Sequence, residues 1–119
     1  MNIEKGATRI VFCFKKIVIK IPNIKEYRLF LNGLLANIEE KLWSPHHKDL
    51  AKVKYCDIFG VLLIMEKAEV INNDVDWNEF KLMLTNRYEK DELKEFMLSD
   101  CKPSNWGYIN EHLVKIDYA

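Results

Sequence analysis

The chain has 119 residues, the length of one domain, and 49% of them are hydrophobic and 12% aromatic, so it can build one core and is neither a two-domain enzyme nor a disordered tail. Eighteen Lys and Arg balance eighteen Asp and Glu, which leaves no net field to draw the whole molecule onto nucleic acid or an anionic membrane. Three cysteines, Cys13, Cys56 and Cys101, form an odd set with no C-x-x-C pair, against a disulfide framework or a zinc knuckle and in favour of a reducing cytoplasm. No apolar run approaches the ~18 residues that span a bilayer, and Met1-Asn2-Ile3-Glu4-Lys5-Gly6 lacks a signal-peptide stretch. The expectation is a single cytoplasmic domain, 1–119, with no membrane association.

In chain order, Arg-Ile-Val-Phe-Cys-Phe at 9–14 and Ile-Val-Ile-Lys-Ile at 17–21 predict an antiparallel hairpin across Lys15-Lys16, with Pro22 stopping the second strand. Over 24–43 the residues Tyr27, Leu31, Leu34, Leu35, Ile38 and Leu42 recur at three- and four-residue steps, which predicts one helix with that stripe on the core. Ser44-Pro45-His46-His47 ends it. Strands are predicted over 50–55 and 60–66, the later one apolar on both faces and therefore central. Asn72-Asn73-Asp74 offers N-caps to a helix carrying Trp77, Phe80, Leu84 and Tyr88. A second helical segment follows over 90–98, with Leu93, Phe96 and Met97 inward. A hairpin, 106–109 with 113–116 across Asn110-Glu111, closes an α+β chain.

The densest chemistry is Asp100-Cys101-Lys102-Pro103-Ser104-Asn105. That loop supplies a proton acceptor, a cation suited to phosphate and a neutral oxygen ligand, and Asp117 adds a second hard ligand at the end of an apolar strand. Oxygen donors of this kind suit Mg²⁺.

The same loop resembles the protein kinase catalytic loop D-x-K-P-x-N, and Val114-Lys115-Ile116-Asp117-Tyr118-Ala119 resembles the strand leading into D-F-G. The resemblance implies a kinase-like N-lobe, an antiparallel sheet plus one long helix, followed by a reduced helical C-lobe with a catalytic-loop hairpin. It implies ATP and Mg²⁺ as cofactors: Asp100 orients or deprotonates an acceptor hydroxyl, Lys102 steadies the γ-phosphate, and Asn105 and Asp117 hold the metal. Ile17-Val18-Ile19-Lys20 is similar to V-A-I-K, so Lys20 would take the phosphates and Val18 would lie over the base. Glu39 is the expected partner of Lys20, because Leu42 and Trp43 flank the core stripe three and four residues on; Glu40 is the fallback. Leu63-Ile64-Met65-Glu66-Lys67-Ala68 resembles the strand into the hinge, with Met65 as gatekeeper and the backbones of Glu66 and Ala68 on adenine.

Against G-x-G-x-x-G-x-V the chain retains Gly6 and Val11, with Glu4 and Arg9 at other positions of the pattern. Leu98-Ser99 stands where His-Arg precedes the catalytic Asp, and Tyr118-Ala119 where Phe-Gly follows the metal-binding one. In the family an activation segment and a substrate platform follow the D-F-G position, which here is two residues from the last one. Two functions are expected from this. One is an ATP-dependent phosphotransferase, a minimal kinase. The other is a catalytically silent kinase-like protein, similar to small chains of phages and mobile elements, that binds and inhibits or redirects a protein in the host cytoplasm. An apolar face around Trp77, Phe80 or Tyr118 is expected to meet a protein partner or a second copy. His46-His47 near Asp49 does not make a metal site, and three arginines with a neutral chain argue against nucleic acid.

Overall fold

The computed structural model describes residues 2–71 and 74–119. They fall into two units, one running through Lys67 and the other Ala68–Tyr118. The architecture is α+β, with antiparallel sheets and one long helix.

In the first unit, β1 (Asn2–Lys5), β2 (Arg9–Cys13), β3 (Ile17–Pro22), β4 (Val53–Cys56) and β5 (Leu63–Glu66) form a sheet in the order β1-β2-β3-β5-β4, with every neighbouring pair antiparallel. The 9–14 and 17–21 segments pair as predicted, closed by a hydrogen bond from the Phe14 amide to the Ile17 carbonyl of 2.9 Å. Pro22 is the last residue of β3 rather than its terminator, paired with Arg9 at the strand end, where no further ladder donor is required. β1 is absent from the sequence expectation because its residues are all exposed and Ile3 is its only large apolar one, so no alternation marks it. It exists by pairing with β2, Ile3 opposite Phe12.

The helix α1 (Tyr27–Trp43) packs on this sheet, and here the expected stripe is overturned. Tyr27, Leu35 and Leu42 are 75%, 57% and 61% exposed, whereas Gly33, Asn37 and Glu40 are buried. Two causes turn the helix. A Cβ on Gly33 would come within 2.5 Å of the Thr8 carbonyl oxygen and 2.8 Å of Pro22, so only glycine lets the helix backbone lie this close. Asn37 and Glu40, on the same side, answer buried cations that the sheet presents to them.

The strand predicted over 60–66 shortens to Leu63–Glu66 because 57–62 form a stapled loop, and the one predicted over 50–55 is found at Val53–Cys56. The Asp57 carboxylate accepts the Leu62 and Phe59 amides at 2.8 and 3.2 Å, and Gly60 takes φ +77° with Leu34 and Ile38 close above it.

In the second unit, β6 (Glu69–Val70), β7 (Trp106–Ile109) and β8 (His112–Lys115) form an antiparallel sheet in that order. The β7–β8 turn holds Asn110 and Glu111 at φ 50° and 66°, the left-handed pair a tight hairpin requires. Asp76 caps α2 (Trp77–Arg87) by accepting the Asn78 amide at 2.9 Å. The Asn72-Asn73 part of the expected cap lies outside the described residues. Phe80, Leu84 and Tyr88 are buried, and Phe80 and Tyr88 meet the buried Trp106 ring at 6.3 and 5.9 Å. Trp77, by contrast, is 54% exposed. The segment predicted over 90–98 is helical only in α3 (Lys94–Met97), preceded by a turn in which Asp91 accepts the Leu93 amide at 2.8 Å. Phe80 and Tyr118 are buried, so of the three residues expected on an open apolar face only Trp77 is exposed. No helix among the described residues is long and apolar enough to cross a membrane.

Acidification tests the 57–62 staple. Its amide bonds, the Leu62 one above all, hold the Asp57 carboxyl below the usual carboxylate range, so its contribution to stability is present above the unfolded value of about pH 4 and is lost as pH falls below it. Asp57→Asn should lower the urea midpoint near neutrality, and the gap to the natural chain should close as the pH drops below about 4.

Candidate functional site

The antiparallel register puts Val11, Val18, Lys20 and Met65 on one face of the first sheet, because Val11 lies opposite Lys20 and Val18 opposite Met65. This is also the face that α1 covers. Lys20 is buried and its Nζ donates to the Glu40 Oε1 at 2.9 Å. Glu39, the expected partner, is exposed on the other side of the helix. The correction follows from the rotation of α1, since the stripe used to orient Glu39 faces outward.

Arg9, across the sheet from Pro22, also reaches Glu40 and donates to Asn37 Oδ1 at 3.2 Å. The Asn37 amide in turn donates to the carbonyls of Lys20 and Gly60 at 3.2 and 2.8 Å. Arg9 and Lys20 thus meet one carboxylate in the interior, where burial keeps the three charges tolerable only together. Gly6 sits in the exposed β1–β2 turn, where its amide donates to the Arg9 carbonyl at 2.8 Å. Met65 is buried, and the Glu66 amide is already donated to the Lys52 carbonyl at 3.0 Å, so that N–H is not available to a base. Ala68 is buried.

In the second unit, Asp100 stands exposed at φ 48°, a left-handed conformation that few residues other than Gly, Asn and Asp adopt at low cost. Its carboxylate makes no hydrogen bond or ion pair among the described residues. Lys102 is exposed and precedes a 3₁₀ turn at Pro103–Asn105. The Asn105 carbonyl accepts the Ile116 amide at 2.8 Å, which fastens the end of β8, and so Asp117, beside the loop. Asp100, Lys102 and Asp117 are exposed and Asn105 is half-buried, on two chain segments that the Asn105–Ile116 bond holds side by side.

A residue the sequence reading passed over holds this region. Lys115 is 1% exposed and its ammonium donates to the Ser99 carbonyl, the Phe96 carbonyl and the Ser99 hydroxyl at 2.7, 3.0 and 3.0 Å. It also lies 5.3 Å from the Phe96 ring centre. Burial pushes its pKa below the ordinary lysine value. The turn that ends at Asp100 is thus tied to β8 by a cation inside the unit. Burial pushes the Cys101 thiol up, and its Sγ is turned to the Leu98 carbonyl at 2.9 Å.

The residues fit a magnesium ion in donor type. Asn105 and Asp117 offer two hard oxygen ligands, and no group of three or more His, Cys, Asp and Glu among the described residues forms a metal cage of its own. His46 and His47 are otherwise occupied: His46 meets the Trp43 ring edge-on, and His47 Nδ1 accepts the Asp49 amide at 2.9 Å. A cleft of about 490 Å³, lined by Trp77, Asn78, Lys81, Leu98, Asp100 and Cys101, opens beside the loop. The larger cleft of the unit, about 700 Å³ around Ile71, Val75, Phe80 and Tyr108, holds none of the expected catalytic or metal residues, so size does not mark the site.

No protein-family model matches the chain, and no curated protein shows significant similarity to it.

Lys115→Met keeps the aliphatic stem and removes the donors. It should cost about 1–3 kcal/mol, the penalty for carbonyls left without their donor, offset in part by not burying a charge. Hydrogen exchange should speed up selectively over residues 96–101, while the first unit keeps its protection.

Proposed function

We propose that the protein binds a nucleoside triphosphate with Mg²⁺ and transfers a phosphoryl group to a hydroxyl acceptor, as a minimal kinase-like phosphotransferase. The observation that carries this reading is the buried Lys20–Glu40 pair joining a central strand to the one long helix. Burying a lysine this deep is costly, and a carboxylate that fixes its ammonium in one place is the arrangement that phosphate positioning needs. Val18 and Met65 share its face, as the resemblance to the V-A-I-K strand and the hinge strand asks of the residues near a base. The donor set of the second unit supports the reading independently, since Asp100, Lys102, Asn105 and Asp117 are the residue types that the resemblance to D-x-K-P-x-N and D-F-G assigns to catalysis.

In this reading Lys20, held by Glu40, meets the phosphates, and Arg9 adds positive charge to the same interior cluster. Asn105 and Asp117 would hold the metal, which when bound neutralises charge on the transferring phosphate. Asp100 accepts the proton of the acceptor hydroxyl, while that oxygen forms the new bond to phosphorus and the bond to the leaving diphosphate breaks with its electron pair. Lys102 steadies the charge on the phosphoryl oxygens.

A second reading, a docking protein without catalysis, is favoured by one observation. The outward stripe of α1 and the 57–62 loop both carry bare apolar side chains, Leu35 and Leu42 on the helix and Ile58 and Phe59, 79% and 69% exposed, on the loop.

Thermal shift decides first. ATP with Mg²⁺ near 100 times its Kd should stabilise the protein by about 2.7 kcal/mol, and ATP alone by less. Asp117→Ala, at an exposed position, should leave the fold intact and remove the Mg²⁺-dependent part. No stabilisation at millimolar nucleotide would sink the catalytic reading. Biological activity that survives Asp117→Ala and Lys20→Ala but is lost in Leu35→Glu/Leu42→Glu would establish docking instead.

A further inference from the structure

A cleft of about 490 Å³ opens between the first turn of α2 and the turn ending at Asp100. The side chains of Trp77, Asn78, Lys81 and Asp100 make no hydrogen bond or ion pair among the described residues. Lys81 and Asp100 face one cleft yet do not pair with each other, so their charges stand further apart than an ion pair and leave room for a ligand that meets both. They lie near enough for Lys81 to pull the neighbouring Cys101 thiol down and for Asp100 to push it up. Trp77 opens α2 with about half of its surface bare, although the helix buries Phe80, Leu84 and Tyr88, three, seven and eleven positions further on. An exposed indole beside an amide and an ammonium that make no bond among the described residues is a surface for a flat ring carrying polar groups.

We propose that this cleft is the acceptor subsite, and that the acceptor is a small, ring-bearing, hydroxylated anion. Its ring lies on Trp77, its phosphate or carboxylate meets Lys81, Asn78 bonds its polar edge, and its hydroxyl is presented to Asp100. The volume falls within the range of about 300–1,000 Å³ typical of small-ligand sites. The walls come from a helix and a turn, with no strand edge among them, so an extended peptide finds nothing to pair with there. The proposal rests on the phosphotransfer reading for the role of Asp100, whereas the binding chemistry does not.

Cytidine 5′-monophosphate is the probe, because it combines a flat ring, ribose hydroxyls and a phosphate; cytidine and inorganic phosphate are the controls. Titrated against the ¹⁵N-labelled full chain, the monophosphate should shift amide resonances at 77–81 and 98–101. Cytidine should bind about tenfold more weakly, as expected on losing one charge-assisted contact. Lys81→Met should reduce monophosphate affinity to that of cytidine and leave cytidine unchanged, and Trp77→Ala should weaken both. Inorganic phosphate producing the same shifts as the monophosphate, with cytidine producing none, would reduce the cleft to an anion-binding surface and overturn the ring assignment. Absence of shifts at about 10 mM monophosphate, a level that would register even millimolar binding, would overturn the subsite outright. So would shifts that ignore Lys81→Met or that fall around Lys20 in the first unit. The two readings fail separately. Monophosphate binding at α2 without any response to ATP and Mg²⁺ keeps the cleft and removes phosphotransfer; the converse keeps phosphotransfer and removes the cleft.

Discussion

One buried carboxylate organises the first unit. Glu40 has no contact with solvent and receives both Arg9 from β2 and Lys20 from β3, which come from 31 and 20 positions earlier in the chain. Uncompensated, any of the three charges would be expelled from the interior; together, with Asn37 accepting from Arg9, they can stay. The helix must therefore turn its polar side to the sheet. Gly33 permits the close approach that this requires, and the leucines are left outside as the remainder. The position of the helix is set by charge and by the absence of a Cβ more than by hydrophobic area.

The second unit solves a similar problem with a single cation. Its core is apolar and aromatic, centred on Trp106, yet one lysine passes into it and ends on the carbonyls of the 96–99 turn. Next to that turn Asp100 takes a left-handed conformation, which an Asp adopts at low cost. Lys115 supplies the rigidity, and the Asn105–Ile116 bond carries it to the other side of the loop. In both units the exposed or reactive groups are local features, and what fixes them is a buried polar contact drawn from distant sequence.

That difference explains what could be read from the residues alone. Two hairpins, the long helix and α2 were legible because periodicity and turn residues are local signals. The 100–105 loop and Asp117 were legible because the whole donor pattern lies within a few residues of chain. The facing of α1 was not. An amphipathic stripe tells which residues share a side, and burial was assigned to the apolar side by default, which led to Glu39 in place of Glu40. Asn37, Lys115 and Lys81 were passed over, and Arg9 was read only as a loop residue, because each gains its meaning from a partner or a cavity wall that only the fold brings near. β1 and the short α3 escaped for a simpler reason: one lacks alternation, and the other is a single turn fixed by the Asp91 side chain.

The outward leucines of α1 invert the usual pattern of tolerance to substitution. In most domains the aliphatic positions of a helix resist change and its polar positions drift. Here Leu31, Leu35 and Leu42 touch water and can vary with little effect on folding, while Gly33, Asn37 and Glu40 admit almost nothing else. Descendants of this chain would thus be recognisable by their buried polar residues long after their hydrophobic ones had changed. If the leucines were nevertheless retained across such descendants, folding would not be the reason.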